Sequence, residues 1–178
     1  MIAALEYALV NFGSVATLVA TTRDQDFVSP PPAWYDWDAE AAHVAGASRV
    51  LIRSKEPPPQ FAANTAIQYF RFDTGDAIRL GDLDTALDIA ALPESTPLAH
   101  HVDVDGYLCR DEGTYTSNGL ALRVLRVQAA FSTPMDGKSA LSIFTATTTS
   151  DTWYDIEQEI LEMEKHWLAR TIHNSGGN

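Results

Sequence analysis

The segment from His100 to Asp105 (HHVDVD) brings together residue types that bind metal ions. Side chains on a β-strand alternate between two faces, so His101, Asp103 and Asp105 would share one side, as the ligands of a His/carboxylate metal site do. The intervening valines would then face a core, which also fits a solvent-facing edge strand that ends in an Asp-Gly turn. Short His/Asp patterns have little specificity, so we favour the edge strand and expect no metal.

Other acidic residues also occur in patterns that could support chemistry. Glu162 and His166 are four residues apart, so on a helix they could ligate a metal within a bundle, but a solvated face with a local Glu–His pair is the simpler interpretation. Pairs of carboxylates can also perform acid–base or glycosidic chemistry. Most of the Asp-x-Asp pairs lie where a helix cap or turn is expected, so we favour capping. These pairs are Asp24/Asp26, Asp36/Asp38, Asp82/Asp84 and Asp103/Asp105.

Nucleophilic, nucleotide-binding and redox chemistry have no sequence support. The patterns GxSxG, GxGxxG, GxxxxGK[ST] and HExxH are all absent. The single cysteine, Cys109, excludes an internal disulfide and a CxxC motif, and it lies in a predicted strand where packing is the expected role. We therefore assign no catalytic residue and no cofactor, and expect a protein that is not an enzyme.

Three large aromatic residues, Trp34, Tyr35 and Trp37, directly follow a proline run on a predicted surface segment. Aromatic side chains of this kind anchor protein interfaces. They could instead fasten the proline loop to the core. We favour packing for Trp34 and regard Tyr35 and Trp37 as candidate partner-binding residues.

The region from Asp73 to Glu112 contains ten acidic and two basic residues. The simple interpretation is a solvated face. The functional interpretation is an acidic docking surface for a basic partner protein, in which Asp82 and Asp84 are the candidate contact residues.

Composition and charge set the broad class of protein. The 178 residues are 46% hydrophobic and 20% charged, as in ordinary globular domains, and the net charge of -12 disfavours binding to nucleic acids and anionic membranes. The first basic residue is Arg23, so the basic start of a signal peptide is missing, and Glu6 and Asn11 interrupt the apolar N-terminal segment. We expect a cytoplasmic protein that has no membrane association; its oligomeric state is left open.

Hydrophobic periodicity and turn residues predict a mixed α+β chain. The last helix is the clearest, because apolar residues recur along it at spacings of three and four. We expect residues 1–178 to form one domain, with residues 1–29 as an N-terminal extension and 173–178 as a flexible tail. The predicted helices are 2–12, a short helix that Asp36 or Asp38 caps and that runs to residue 45, 82–92 and 151–172. The predicted strands are 14–22, 49–54, 65–72, 99–104, 107–116, 120–133 and 139–149.

The predicted central strands carry apolar residues on both faces, so the sheet must be covered on both sides. On strand 120–133, Leu125, Val127 and Ala129 lie on one face, and Leu122 and Val124 lie on the other. The helices at 82–92 and 151–172 are the expected covers. The fold class is therefore an antiparallel sheet covered by helices on both faces.

From about residue 30 to residue 172 the chain resembles the PsbP-like fold, in particular the LpqN-like family of small actinobacterial proteins. The resemblance lies in PPPAW, QFAANTAIQYF, a V-D-G turn, DEGTYTSNG and SALSIFTATTTSDTW, in this order. It implies an antiparallel sheet between helices, and a role in binding or assembly rather than catalysis. It supplies no catalytic residues. Members of the family are typically exported with a lipid-anchoring cysteine, whereas the only cysteine here is Cys109.

Three functional hypotheses follow. The first is a non-enzymatic protein-binding domain, such as an adaptor, a chaperone-like protein or an immunity-type partner, with an acidic surface that carries aromatic residues. The second is a carrier of a small hydrophobic ligand, which requires a cavity between the sheet and the last helix. The third is a metal-dependent enzyme, which requires His101, Asp103 and Asp105 to converge.

Overall fold

The computed structural model describes residues 3–20, 28–55, 57, 59–75, 78–133 and 136–175, with side chains described as far as 171. The end of the predicted strand 14–22 lies outside these residues, as does part of the predicted tail, 176–178. The last helix extends to Ser175, so residues 173–175 are helical rather than part of a tail.

A single eight-stranded antiparallel sheet organises the described residues. The strands are β1 (Ala16–Leu18), β2 (Trp34–Asp36), β3 (Arg49–Arg53), β4 (Asn64–Phe72), β5 (Thr96–Val102), β6 (Leu108–Ser117), β7 (Leu120–Ser132) and β8 (Ser139–Thr149). Their order in the sheet is β2-β3-β4-β8-β7-β6-β5, and β1 pairs with the part of β4 that β3 leaves free. Strands β2 and β5 therefore form the two ends of this order.

Local sequence signals explain where these elements begin and end. The carboxylate of Asp38 accepts a hydrogen bond from the Ala41 N–H at 2.8 Å and so caps the helix that follows. Asn118 and Gly119 both have positive φ, +50° and +75°, as the tight β6–β7 hairpin requires. The cap at Asp38 and the hairpin at Asn118-Gly119 are thus confirmed, whereas Asp82, also expected to cap a helix, lies within a 3₁₀ turn. The helices are α1 (Ala3–Phe12), α2 (Ala39–Val44), α3 (Leu87–Ala90) and α4 (Ser150–Ser175).

Helix α4 covers one face of the sheet, as predicted. Its apolar stripe is buried against inward-facing residues of β4, β7 and β8. The ring of Trp167 lies 5.7 Å from that of Phe144, and its indole N–H donates to Ser142 at 3.0 Å. The stripe consists of Trp153, Ile156, Ile160, Met163 and Trp167. These side chains form one hydrophobic core cluster, whereas a ligand carrier requires a cavity at this interface.

The opposite face is covered differently from the prediction. Helix α1 packs there through Ala4 and Ala8, together with residues 78–83. The predicted helix 82–92 is instead a short 3₁₀ turn (Leu80–Asp82) followed by the single-turn α3, and Leu87 is exposed. The cause is Asp88, which turns inward and ion-pairs with Arg126, so that the polar position of the pattern faces the sheet.

Candidate functional site

His101, Asp103 and Asp105, considered above as an alternative metal site, do not share a strand face. Strand β5 ends at Val102, so Asp103 and Asp105 lie in the following turn. Oδ1 of Asp103 accepts hydrogen bonds from the N–H groups of Tyr107 at 2.8 Å and Leu108 at 2.9 Å, which fixes that turn. In the part of the chain that the structure describes, no three His, Cys, Asp or Glu side chains are grouped as metal ligands.

This turn also corrects the expectation that both valines of the segment, at positions 102 and 104, face a core. The alternation of a strand would have placed Val104 in the core, but the turn leaves it fully exposed. The edge-strand interpretation of residues 99–102 is otherwise confirmed, because β5 is the last strand of the sheet order.

The structure instead joins the adjacent histidine, His100, to a carboxylate that the sequence analysis did not single out. Nδ1 of His100 lies 2.6 Å from Oδ1 of Asp111, which is completely buried. The hydroxyl of Thr85 donates to Oδ2 of Asp111 at 2.7 Å. A signal for this pair was present, because a hairpin turning at Asp105-Gly106 places residues 100 and 111 opposite each other.

A second buried carboxylate, Asp88, lies on the same face. Oδ2 of Asp88 is 3.2 Å from Nε of Arg126 and accepts from Nε2 of Gln128 at 3.2 Å. Oδ1 accepts from the backbone N–H of Ala3 at 2.9 Å, which ties α1 to this cluster. Burial raises the pKa of Asp88 and lowers that of Arg126, because each charge is taken out of water.

Together these residues form a cluster that we call the buried charge cluster, in which the side chain of His100, 40% exposed, is the most accessible to solvent: Thr85, Asp88, His100, Asp111, Arg126 and Gln128. It joins the segment around α3 to strands β5, β6 and β7. The Arg126 guanidinium interacts electrostatically with both Asp88 and Asp111 and is the one arginine of the cluster. This arrangement is suited to holding elements together, and a buried pair of this kind is costly to break.

Two further candidates for chemistry have structural roles. Cys109 is fully buried in β6, and burial raises the pKa of its thiol to about 11, so at neutral pH it is not a thiolate nucleophile. Glu162 and His166 both lie on the exposed side of α4, which confirms the prediction of a solvated face.

Of the three neighbouring aromatic residues, Trp34 packs against the core, as predicted, and the other two are exposed. Trp34 is buried, and its indole N–H donates to Oε2 of Glu159 on α4 at 2.7 Å. Tyr35 and Trp37 remain 51% and 42% exposed. Side chains alternate along β2 and the residue that follows it. Trp34 therefore packs against α4, whereas Tyr35 and Trp37 face solvent.

Tyr35 and Trp37 lie on the sheet face opposite α4 and continue into two aliphatic residues of β3. Tyr35 is the cross-strand partner of Ile52, and the N–H of Trp37 donates to the carbonyl of Val50 at 2.9 Å. Both aliphatic side chains are half-buried. We call these four residues, Tyr35, Trp37, Val50 and Ile52, the aromatic patch.

Asp82 and Asp84 are exposed, but they lie far from the aromatic patch. They belong to the segment around the 3₁₀ turn, which packs against β6 and β7. Strand β2 is five strand spacings from β6, or roughly 24 Å at the usual distance between strands. The four predicted partner-binding residues therefore lie in two separate regions.

Several residues of the acidic region have internal partners. Asp88 and Asp111 are buried, Asp73 accepts from Ser14 and from the Val15 N–H, and Glu112 pairs with Arg110 and Arg123. Asp76 lies outside the described residues. The exposed carboxylates among the described residues of this region are Asp73, Asp82, Asp84, Glu94 and Asp105.

Comparison with solved structures shows a similar fold in LpqN of Mycobacterium tuberculosis, a protein involved in cell envelope biogenesis. The TM-score is 0.64 over 85% of this chain and 88% of that one, with 13% sequence identity. At this identity the similarity shows the fold alone, and it confirms the LpqN-like part of the resemblance at that level. The protein of unknown function PA94 from Pseudomonas aeruginosa has a TM-score of 0.40 over 83% of this chain and 94% of that one, at 16% identity, which is too low to support an argument.

No protein-family model and no curated protein sequence matches this chain. Among the described helices, none combines the length and the apolar character needed to cross a bilayer.

Proposed function

We propose that this protein is a non-enzymatic protein-binding domain whose aromatic patch is the primary contact surface for a basic partner. The observation that carries the proposal is that Tyr35 and Trp37 are exposed, whereas the neighbouring aromatic residue Trp34 is buried. Aromatic side chains dominate the energetics of protein interfaces, particularly near their centres. The two half-buried aliphatic residues extend the apolar surface that a partner would cover.

The charge around the aromatic patch supports a basic partner. Asp36, Asp38 and Glu40 are exposed on either side of Trp37, and the whole chain has a net charge of -12. Arg49 neutralises Asp36 locally through two hydrogen bonds, at 2.6 and 3.1 Å. Asp38 and Glu40 remain as carboxylates that can complement lysine and arginine side chains.

Asp82 and Asp84 keep a different role in this proposal. At roughly 24 Å from the patch they do not touch the same part of a small partner. They contribute instead to the negative field that accelerates encounter with a basic protein.

The residues that could have indicated an enzyme support this proposal indirectly. The thiol of Cys109 is buried, Asp103 is bound to backbone N–H groups, and the buried charge cluster joins α3 to the sheet. Each of these groups thus has a structural role. A role in binding or assembly also agrees with the resemblance drawn from the sequence.

A cytoplasmic location remains our proposal. A free cysteine buried in the core, Cys109, is compatible with a reducing compartment. Fractionation of the native host with an antibody against this chain would decide the point, since recovery in the envelope fraction would contradict it.

The test of the proposed function is quantitative affinity capture from a lysate of the native host. Bait proteins would be the wild type, the double variant Tyr35→Ala/Trp37→Ala, and Tyr154→Ala. Tyr154 is the matched control, because it is 76% exposed but lies on α4, away from the patch. We expect an identified basic protein to be enriched by the wild type and by Tyr154→Ala.

The double variant should lose that partner while keeping the wild-type circular dichroism spectrum. Purified partner should then bind the wild type directly. Equal capture by the double variant and the wild type would place binding elsewhere and overturn the role of the patch.

A further inference from the structure

Strand β5 forms an open edge of the sheet. In the described part of the chain it pairs with β6 alone, and β5 is the last strand in the order. Six of its seven residues are exposed, including Leu98, which is 52% exposed. The edge opposite β6 is therefore accessible along most of the strand.

The direction of the backbone groups follows from the hydrogen bonds at the end of the hairpin. The N–H of Asp103 donates to the carbonyl of Leu108 at 2.9 Å, so Asp103 faces β6. Hydrogen-bonded and non-hydrogen-bonded pairs alternate in an antiparallel ladder. The N–H and C=O groups of Val102 and His100 consequently point away from β6, toward the open edge.

Natural edge strands are usually protected by lysines, prolines or bulges. Strand β5 contains Pro97 and an irregular register between Pro97 and Ala99, both at its beginning. From Ala99 to Val102 it contains no lysine, arginine or proline. This stretch has the free backbone groups needed to pair with another strand.

The charges around β5 indicate what kind of strand would be attracted. No lysine or arginine occurs between Arg79 and Arg110, whereas Asp82, Asp84, Glu94 and Asp105 are exposed. Arg79 lies close to Gly106, and Arg110 is already bound by Glu112 and Glu164. The surroundings of the open edge are therefore predominantly negative.

We propose that β5 accepts an extended, cationic segment of a partner protein as an additional antiparallel or parallel strand. Main-chain hydrogen bonds from His100 and Val102 would hold the segment, and the surrounding carboxylates would select lysine and arginine. This surface is at the edge of the sheet opposite β2 and is separate from the aromatic patch. Strand addition at β5 can therefore be confirmed or refuted separately from the function proposed for the patch.

The experiment uses the full chain and a synthetic probe. The probe is a ten-residue peptide with blocked ends that alternates lysine with valine and threonine. We expect it to shift the backbone amide NMR signals of His100 and Val102 at physiological salt, and to protect those amides from hydrogen exchange. The same peptide with glutamate at each lysine position should not bind.

A matched pair of protein variants separates the backbone from the side chain. His100→Ala and His100→Pro both remove the imidazole that contacts Asp111, but only proline removes the outward N–H. Proline is tolerated where the N–H of an edge strand faces solvent. Affinity for the lysine peptide should be at least about tenfold weaker for His100→Pro than for His100→Ala.

A second control remains informative even if His100→Pro fails to fold. Two adjacent prolines at the centre of the lysine peptide remove an N–H from each of its edges without changing its charge, and should abolish binding. Equal binding of this peptide would mean that charge alone attracts the probe, and would overturn strand addition. Self-association of the protein through β5, with no peptide binding, would also overturn it. Tyr154→Ala, which changes an exposed residue of α4, should leave peptide binding unchanged.

Discussion

At the residue scale, burial separates side chains that hold the structure from those that a partner can contact. Trp34 binds Glu159 and is buried, whereas Trp37 is 42% exposed. Asp88 and Asp111 are buried beside Arg126, whereas Asp82 and Asp84 remain in solvent. Residue type alone does not distinguish these roles, but position in the sheet does.

Arg126 tests the importance of the buried charge cluster. Arg126→Met removes the cation that lies between Asp88 and Asp111 and leaves buried carboxylates without compensation, so it should lower the free energy of unfolding by about 3–5 kcal/mol. The matched control is Arg71→Met, which breaks the more exposed pair with Asp136 and should have little effect. Urea-induced unfolding measures both. Equal, small losses would show that the cluster is not needed for stability.

The ion pair of Glu159 predicts how the stability of the fold changes at acid pH. Hydrogen bonds from Arg53, at 2.8 and 3.0 Å, hold the pKa of Glu159 below its ordinary value, and the Trp34 N–H adds to the effect. A carboxylate with a depressed folded pKa stabilises the fold above its unfolded pKa, and this contribution is lost as pH falls through the folded pKa.

Glu159→Gln should therefore lower the melting temperature at pH 7, and the difference from the wild type should shrink as pH falls below about 4. Thermal unfolding followed by circular dichroism across this range is the measurement. Glu162→Gln is the control, since Glu162 lies on the exposed side of the same helix. A difference that stays constant with pH would refute the assigned ion pair.

Part of the candidate site could be predicted: the family resemblance favoured packing for Trp34, and Tyr35 and Trp37 were kept as surface candidates. The physical reason, alternation along β2, was missed because no strand was predicted at residues 34–36. The pair between His100 and Asp111 was missed because it depends on which residues face each other across two strands. The wide separation of Trp37 from Asp82 could not be predicted either, because it depends on the order of strands in the sheet.

At the element scale, long periodic segments were predicted well and short ones were not. Helix α4 keeps its apolar stripe over several turns, so its packing follows from sequence. Helix α3 is a single turn, and its orientation is set by the contact of Asp88 with Arg126. Gly113 also allows this approach, since a Cβ there would lie 2.5 Å from Ile89 Cγ2.

Trp167 tests the packing of α4. The side chain is completely buried and contacts Phe144, so Trp167→Ala should lower the free energy of unfolding by about 3–5 kcal/mol. Tyr154→Ala, on the exposed side of the same helix, should change it by about 0.5 kcal/mol or less. Chemical denaturation compares the two. If Trp167→Ala were as stable as Tyr154→Ala, α4 could not be packed on the sheet as described.

At the scale of the whole molecule, the sheet has two different ends. The end at β2 carries the aromatic patch, and the end at β5 is an open strand in acidic surroundings. A net charge of -12 gives the whole surface a field that attracts basic proteins. Charge should therefore govern how fast a basic partner arrives, and the aromatic patch how long it stays.

The role of Asp82 and Asp84 in encounter depends on salt. The double variant Asp82→Lys/Asp84→Lys should slow association of the captured partner at about 0.01 M salt, where screening extends over roughly 30 Å. At about 0.15 M salt the screening length is roughly 8 Å, so the same variant should associate almost as fast as the wild type. Stopped-flow association rates test this. A large slowing at both salt concentrations would instead indicate direct contact with these carboxylates.

The dissociation rate of the captured partner from surface-immobilised protein tests the central claim most directly. Surface plasmon resonance at physiological salt would compare the wild type with Trp37→Ala and with Tyr154→Ala. If the aromatic patch anchors the partner, Trp37→Ala should speed dissociation by about thirtyfold or more, which corresponds to a loss of about 2 kcal/mol, while Tyr154→Ala dissociates like the wild type. Identical dissociation of Trp37→Ala and the wild type would contradict the proposal that this protein binds its partner through the patch.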